Sequence, residues 1–170
     1  HLHGKTMEQV LLGAAGMIIV RDSEEATLNL PRRYGIDDFP LALQWKTFDT
    51  LTNQLVMNDE LDNAVMVNGA INGQLDVPAQ MVRLRILNGS SHRFFYLAMN
   101  DTRNFNVIAG DESLLNAPVS MNRLMVSPGE RYEIHFGDRR FFCPRPARCN
   151  AQVQLPRAVH LQLRPSAHLE

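Results

Sequence analysis

Val82-Arg83-Leu84-Arg85-Ile86-Leu87 alternates strictly between apolar and other positions, then stops at Asn88-Gly89-Ser90-Ser91. Period-two alternation places one set of side chains on each face of a strand, and the residues that follow favour a turn. The flanking sequence repeats the arrangement. Residues 93–99, 105–109, 123–126 and 131–136 read as strands, separated by Asn100-Asp101, Gly110-Asp111 and Ser127-Pro128-Gly129-Glu130. Upstream, residues 39–48 carry Leu41, Leu43 and Trp45 on one parity, and residues 54–57 form a short hairpin arm after Asn53. Residues 65–67 run into Asn68-Gly69, a dipeptide suited to positive φ in tight hairpins. Residues 17–20 read as a short buried strand, residues 24–38 as a connection, residues 111–116 as one helical turn and residues 159–163 as the last strand. Short strands about ten residues apart predict an all-β sandwich or barrel. No helix of ten or more residues is legible.

Composition excludes several classes. The 170 residues are 45% hydrophobic and 21% charged, ordinary values for one globular domain with a core of its own. A net charge of −1 gives no basis for a nucleic-acid partner. The longest apolar run, residues 10–20, is too short for a membrane span. Charge is uneven. Residues 1–138 hold 11 Lys and Arg against 17 Asp and Glu, whereas residues 139–170 hold 6 Arg against Glu170 alone. The change falls at Cys143-Pro144-Arg145-Pro146-Ala147-Arg148-Cys149, a Pro- and Arg-rich segment that reads as a solvated loop. Its two cysteines fit neither a CxxC redox nor a zinc spacing, and an oxidising compartment would allow them a small disulfide ring.

The chain opens His1-Leu2-His3-Gly4-Lys5-Thr6. On a strand, histidines two apart share a face, with Cα atoms about 6.6 Å apart. That separation suits one histidine on each of two neighbouring metals better than both on one, and imidazole serves copper, zinc and iron. His1 and His3 therefore read as half of a polynuclear metal site. A terminal pair with no ligand role is the plain alternative, because HxH alone is a short motif. With nothing ahead of His1, the expectation is a piece cut through an active site, most of the catalyst lying elsewhere. The edge formed by residues 10–20 would then be exposed, and self-association through it is expected.

Taken in order, several motifs resemble those of the bacterial, three-domain, laccase-like multicopper oxidases. They are HLHGKT with Gly13-Ala14-Ala15-Gly16-Met17-Ile18-Ile19-Val20, then Leu30-Pro31-Arg32-Arg33-Tyr34-Gly35-Ile36-Asp37-Asp38-Phe39-Pro40, then Val67-Asn68-Gly69-Ala70. The 82–90 stretch, Val107-Ile108-Ala109-Gly110-Asp111 and Ser127-Pro128-Gly129-Glu130-Arg131 complete the series. The resemblance implies a cupredoxin-like Greek-key β-sandwich at 39–168. It also implies a linker at 23–38, and at 1–22 the C-terminal arm of a preceding cupredoxin domain. It implies an enzyme that oxidises a phenol, an amine or a metal ion one electron at a time and reduces dioxygen to water. His1 and His3 would each ligate one copper of the type 3 pair in a trinuclear cluster. The middle domain would hold no copper and act as spacer and cover. Periplasmic or secreted location follows from the same resemblance, and the partners would be the other cupredoxin domains.

Other features limit that expectation. A family member needs four HxH-type motifs and a His-Cys-His; this chain holds one HxH, and Cys143 and Cys149 have no histidine neighbours. The chain alone is therefore expected to be inactive. Asp111-Glu112-Ser113 stands where Asp-Gly-Gly is common, residues 58–67 look short, and Leu169-Glu170 could belong to an affinity tag. His92 reads as a turn histidine, His135 and His160 as solvent-facing strand residues, and Asp37-Asp38 as turn and capping residues. The rival reading is a non-catalytic relative of the same fold that serves as a scaffold in the bacterial cell envelope. A free-standing β-sandwich binding module is a third.

Overall fold

The computed structural model describes residues 2–57, 62–71, 73–77 and 80–137, with two further strands at 151–155 and 159–164. His1, the Cys143–Cys149 segment and the side chain of His160 lie outside what is described. Two short helices come first, α1 (Thr6–Leu11) and α2 (Ser23–Thr27). Strands follow: β1 (Asp38–Phe48), β2 (Leu55–Val56), β3 (Ala64–Val67), β4 (Ala70–Ile71), β5 (Gln74–Asp76), β6 (Val82–Asn88) and β7 (Phe95–Ala98). Then come β8 (Phe105–Ala109), β9 (Leu114–Met121), β10 (Arg123–Val126), β11 (Arg131–Phe136), β12 (Ala151–Leu155) and β13 (Val159–Arg164).

The main sheet runs β4-β3-β1-β6-β11-β8-β9, with β2 paired to β1. Within it β1 and β6 are parallel, while β6 and β11 are antiparallel. A second layer holds the β7–β10 pair and the set β12-β13-β5. Apolar side chains from both layers form one cluster, including Leu41, Leu84, Ile86, Phe95, Leu97, Val126 and Ile134. Trp45 of β1 stacks on Phe95 of β7, centroids 6.1 Å apart, and so links the layers. The all-β sandwich expected from the strand spacing is present.

Turn chemistry fixes the registers. Asn68 (φ 49°) and Gly69 (φ 81°) make the two-residue loop between β3 and β4, as Asn-Gly does in type I′ hairpins. The Asn68 amide accepts from Ala42 N–H at 2.8 Å and donates to the Pro40 carbonyl at 2.8 Å, tying the loop to β1. Asn88 is fully buried, and its Nδ2 donates to the carbonyls of Arg93 and Val126. The end of β6 is thereby joined to β7 and β10.

Several local expectations are corrected. Residues 17–20 form no strand: Ile18 and Val20 are 92% and 83% exposed, and among the described residues no strand pairs with them. Residues 111–116 form no helical turn; a bend leads into β9, an edge strand. Pro118 is accommodated in β9 because an edge strand has one unpaired side. The connection at 24–38 contains most of α2, whose N-cap Asp22 accepts from Glu25 N–H at 2.7 Å.

Candidate functional site

Both faces of the main sheet are buried at its centre. On β6, Val82, Leu84 and Ile86 face the core, so Arg83 and Arg85 point outward, yet they are only 1% and 5% exposed. The cover is the segment ahead of β1, whose α2 brings Glu25 over the sheet. Register supplies the remaining partners: Asp38 lies opposite Arg83 on β1, and Glu133 opposite Arg85 on β11.

The resulting cluster is balanced, with Arg21, Arg83 and Arg85 against Glu25, Asp38 and Glu133. Arg85 grips Asp38 with two hydrogen bonds, Nε to Oδ1 at 2.8 Å and Nη2 to Oδ2 at 2.9 Å. Its Nη1 donates to Glu133 at 2.5 Å and its Nη2 to Glu25 at 3.3 Å. Arg83 donates to Glu25 at 2.5 Å and to Glu133 from both Nε and Nη2. Arg21, on the arm, donates to Asp38 at 3.1 Å. Charges this deep are tolerated only when paired and hydrogen-bonded. Burial alone would raise the Glu25 carboxyl; the hydrogen bond and charge of Arg83, then those of Arg85, outweigh it and hold the group below its usual range. Burial opposes the Arg85 guanidinium as well, but Asp38, Glu133 and Glu25 raise its pKa further. Asp38 is therefore an ion-pair partner, which corrects its reading as a capping residue. Asp37 does cap the turn, accepting from Arg33 N–H at 2.7 Å.

His135 shares this face and is 9% exposed, against the solvent-facing position expected for it. Burial, with the nearby Arg83 charge, lowers its pKa, and among the described residues its Nδ1 has no hydrogen-bond partner. His92 is half-buried and stands 3.0 Å from Asp62.

The arm begins at the histidine motif. Lys5 N–H donates to the Leu2 carbonyl at 3.1 Å, and Gly4 has φ +77°, the third-position geometry of a type II turn. His3 thus occupies the second position of a turn instead of a strand, and the separation worked from strand geometry does not carry over. His3 is exposed. Among the described residues no three histidine, cysteine, aspartate or glutamate side chains gather to hold a metal. An imidazole such as that of His3 is a donor of the kind copper takes, and the described residues gather no set of such donors around it.

Helix α1 follows that turn. It ends with Gly13 at φ +99°, Gly13 N–H bonded to the Val10 carbonyl and Ala14 N–H to the Gln9 carbonyl, a Schellman motif. The Lys46 ammonium, from the outer face of β1, donates to the carbonyls of Val10 and Leu11, the latter at 3.1 Å. Lys46 is 2% exposed; burial lowers its pKa, and the charge of Asp62 opposes that shift. Beyond α1 the arm passes close over Gly89, where an added Cβ would stand 3.3 Å from that of Ala15. It then bounds a groove of about 360 Å³ with residues 109–114 and 131–133.

The sequence pattern did not reveal the ionic face. The signal available was a pair of basic residues on β6 with acids at both neighbouring registers.

The β-sandwich and its strand order place the fold in the cupredoxin-like class. Its relatives agree. The family described as multicopper oxidase matches residues 41–136, and the chain belongs to that family. A bacterial laccase-like multi-copper oxidase, CueO from the lignin-degrading bacterium Ochrobactrum sp., superposes with a TM-score of 0.82 at 33% identity, over 100% of this chain and 40% of that one. The McoA multicopper oxidase of Aquifex aeolicus gives a TM-score of 0.78 at 36% identity, over 96% of this chain and 38% of that one. The cell division protein FtsP of Escherichia coli K12 is 40% identical over 134 residues, covering 76% of this chain and 28% of FtsP. The chain thus spans well under a third of the curated relatives it matches. Among the described residues no helix is long and apolar enough to cross a membrane.

Proposed function

We propose that the chain is the copper-free middle domain of a three-domain multicopper oxidase, residues 39–168, with a linker at 23–38. Residues 1–22 are the arm that enters from the preceding cupredoxin domain. The arm carries two ligands, His1 and His3, for the type 3 copper pair. The whole protein couples one-electron oxidation of a phenol, an amine or a metal ion to reduction of dioxygen to water, and this chain alone is inactive. Its place is the periplasm or outside the cell. The observation that carries the reading is the His3 turn, joined through α1 to an arm fixed on the sheet of a domain that superposes throughout on a laccase-like oxidase.

The curated relatives are named cell division proteins, which favours a second reading, a non-catalytic multicopper-oxidase-like scaffold of the bacterial cell envelope. Retention of HxH favours the oxidase. Copper content after Cu(II) loading and desalting separates them. Stoichiometric copper that disappears in the His1→Ala/His3→Ala variant supports the oxidase; equal copper in both supports the scaffold.

A further inference from the structure

We propose that Lys46 is a positioning residue for the copper-ligand turn, acting through α1. This rests on the reading of His1 and His3 as copper ligands. Helix α1 has six residues, of which only Leu11 is buried. A helix so short does not persist in water on its own, so its order comes from tertiary contacts. Two contacts dock its C-terminal end on the domain. One is the Leu11 side chain. The other is the Lys46 ammonium, held under the last turn by the carbonyls of Val10 and Leu11.

Those carbonyls are among the four that a helix leaves unpaired at its C-terminus, where a cation is favoured. The Schellman bonds from Gly13 and Ala14 reach Val10 and Gln9, leaving the Leu11 carbonyl to Lys46. The site is specific: Lys46 is 2% exposed as a residue, and its ammonium reaches the Leu11 carbonyl from β1 across a sequence separation of 35 residues. At a rise of 1.5 Å per residue α1 is a lever of about 9 Å, clamped at one end and carrying the His3 turn at the other. The start of the lever is itself closed, since Thr6 Oγ1 and Lys5 N–H both donate to the Leu2 carbonyl. Freeing the clamped end would let the His3 turn move with the helix. On this view the sheet sets the direction in which the His3 turn is presented, beyond spacing the flanking domains apart.

The test compares the wild-type chain with Lys46→Met, Lys46→Arg and His1→Ala/His3→Ala. Amide hydrogen exchange is read at Lys5, Gly13 and Ala14, with Leu84 and Ile134 reporting the sheet. Cu(II) binding is read by titration and by the paramagnetic resonance spectrum. Lys46→Met should speed exchange at the arm amides about tenfold or more, the scale of one lost charged hydrogen bond, while the sheet amides hold. It should weaken Cu(II) binding by about the same factor and broaden the spectrum, and Lys46→Arg should restore both. Unchanged arm exchange in Lys46→Met overturns the clamp. Faster arm exchange with wild-type Cu(II) affinity and spectrum overturns the positioning role while leaving the copper reading intact. Wild-type binding no stronger than that of His1→Ala/His3→Ala overturns the copper reading, and the positioning role with it. If Lys46→Met also loosens the sheet amides, Lys46→Gln takes its place, with the same outcomes.

Discussion

Replacing Arg85 by methionine tests the ionic face directly. The side chain holds four hydrogen bonds to three carboxylates, two of them a bidentate grip on Asp38, which is 0% exposed. Methionine fills much of the same volume, so packing changes little and the electrostatic loss dominates. Glu25 and Glu133 keep Arg83, but among the described residues Asp38 keeps only the Arg21 ion pair, and the Arg21 side chain is 41% exposed. Removing one partner of a buried pair costs about 3–5 kcal/mol, because an uncompensated charge stays behind. With a urea slope of about 2 kcal/mol per M for a domain of this size, the unfolding midpoint should fall by about 2 M with the slope unchanged. The double variant Arg85→Met/Asp38→Asn should recover most of that loss, since no orphaned charge remains. Urea unfolding followed by Trp45 fluorescence reads all three proteins. A single-variant loss under about 1 kcal/mol, the value of an exposed pair, would show that Arg85 is hydrated and that the arm does not seal this face.

Four further outcomes are expected. His135 has a depressed folded pKa, so its contribution to stability is complete above the unfolded value of 6.5 and is lost as pH falls through the lower folded value; thermal melts of His135→Gln should lack that slope. Glu25 is likewise depressed, so its stabilisation is present above 4.5 and is lost as pH falls further; Glu25→Gln should flatten the acid limb of a melting-temperature profile. Gly137 has φ +98°, and a Cβ there would lie 2.6 Å from the Gln80 carbonyl oxygen, so Gly137→Ala should cost about 2 kcal/mol or more in urea unfolding. Exposed Ile18 and Val20 should drive self-association in sedimentation, abolished by Ile18→Asp/Val20→Asp; a wild-type monomer at every concentration would count against it.

The sandwich was legible because its local signals agree. Strict alternation at 82–87 and the Asn68-Gly69 hairpin each specify geometry within a few residues, and the structure places β6 and the β3–β4 turn there. The ionic face was not legible for the opposite reason. Alternation separates two faces of a strand but does not say which of them meets water. Arg83 and Arg85 look like a solvent face until Glu25, 58 and 60 residues earlier in the chain, is known to lie above them. His135 was misplaced by the same rule, since it shares the parity of Glu133. Residues 17–20 failed in the other direction: apolar composition suggested a buried strand, but burial needs a neighbour, and among the described residues none pairs with them. Strand β9 escaped because residues 114–121 follow no alternation and contain Pro118.

The hidden ionic face and the misread residues 17–20 have one physical source. Between Met17 and Glu25 the segment turns charged residues to the sheet and leaves two large apolar ones, Ile18 and Val20, outward, although Leu11 earlier in the chain is buried. Arg21 and Glu25 turn down to Asp38, Arg83 and Arg85, while Ile18 and Val20 face away. A segment that needed only to cover this domain would do the reverse, because burying apolar area stabilises and burying charge costs. The inversion is consistent with an arm that serves two neighbours: a charged, register-specific footing on this sheet and an apolar edge for another structure. Ion pairs suit the first task because each is satisfied in one register, whereas apolar contacts tolerate sliding. The Lys46 clamp at one end and the Arg83–Glu25 pair at the other therefore fix where the arm lies, and with it where the His3 turn begins.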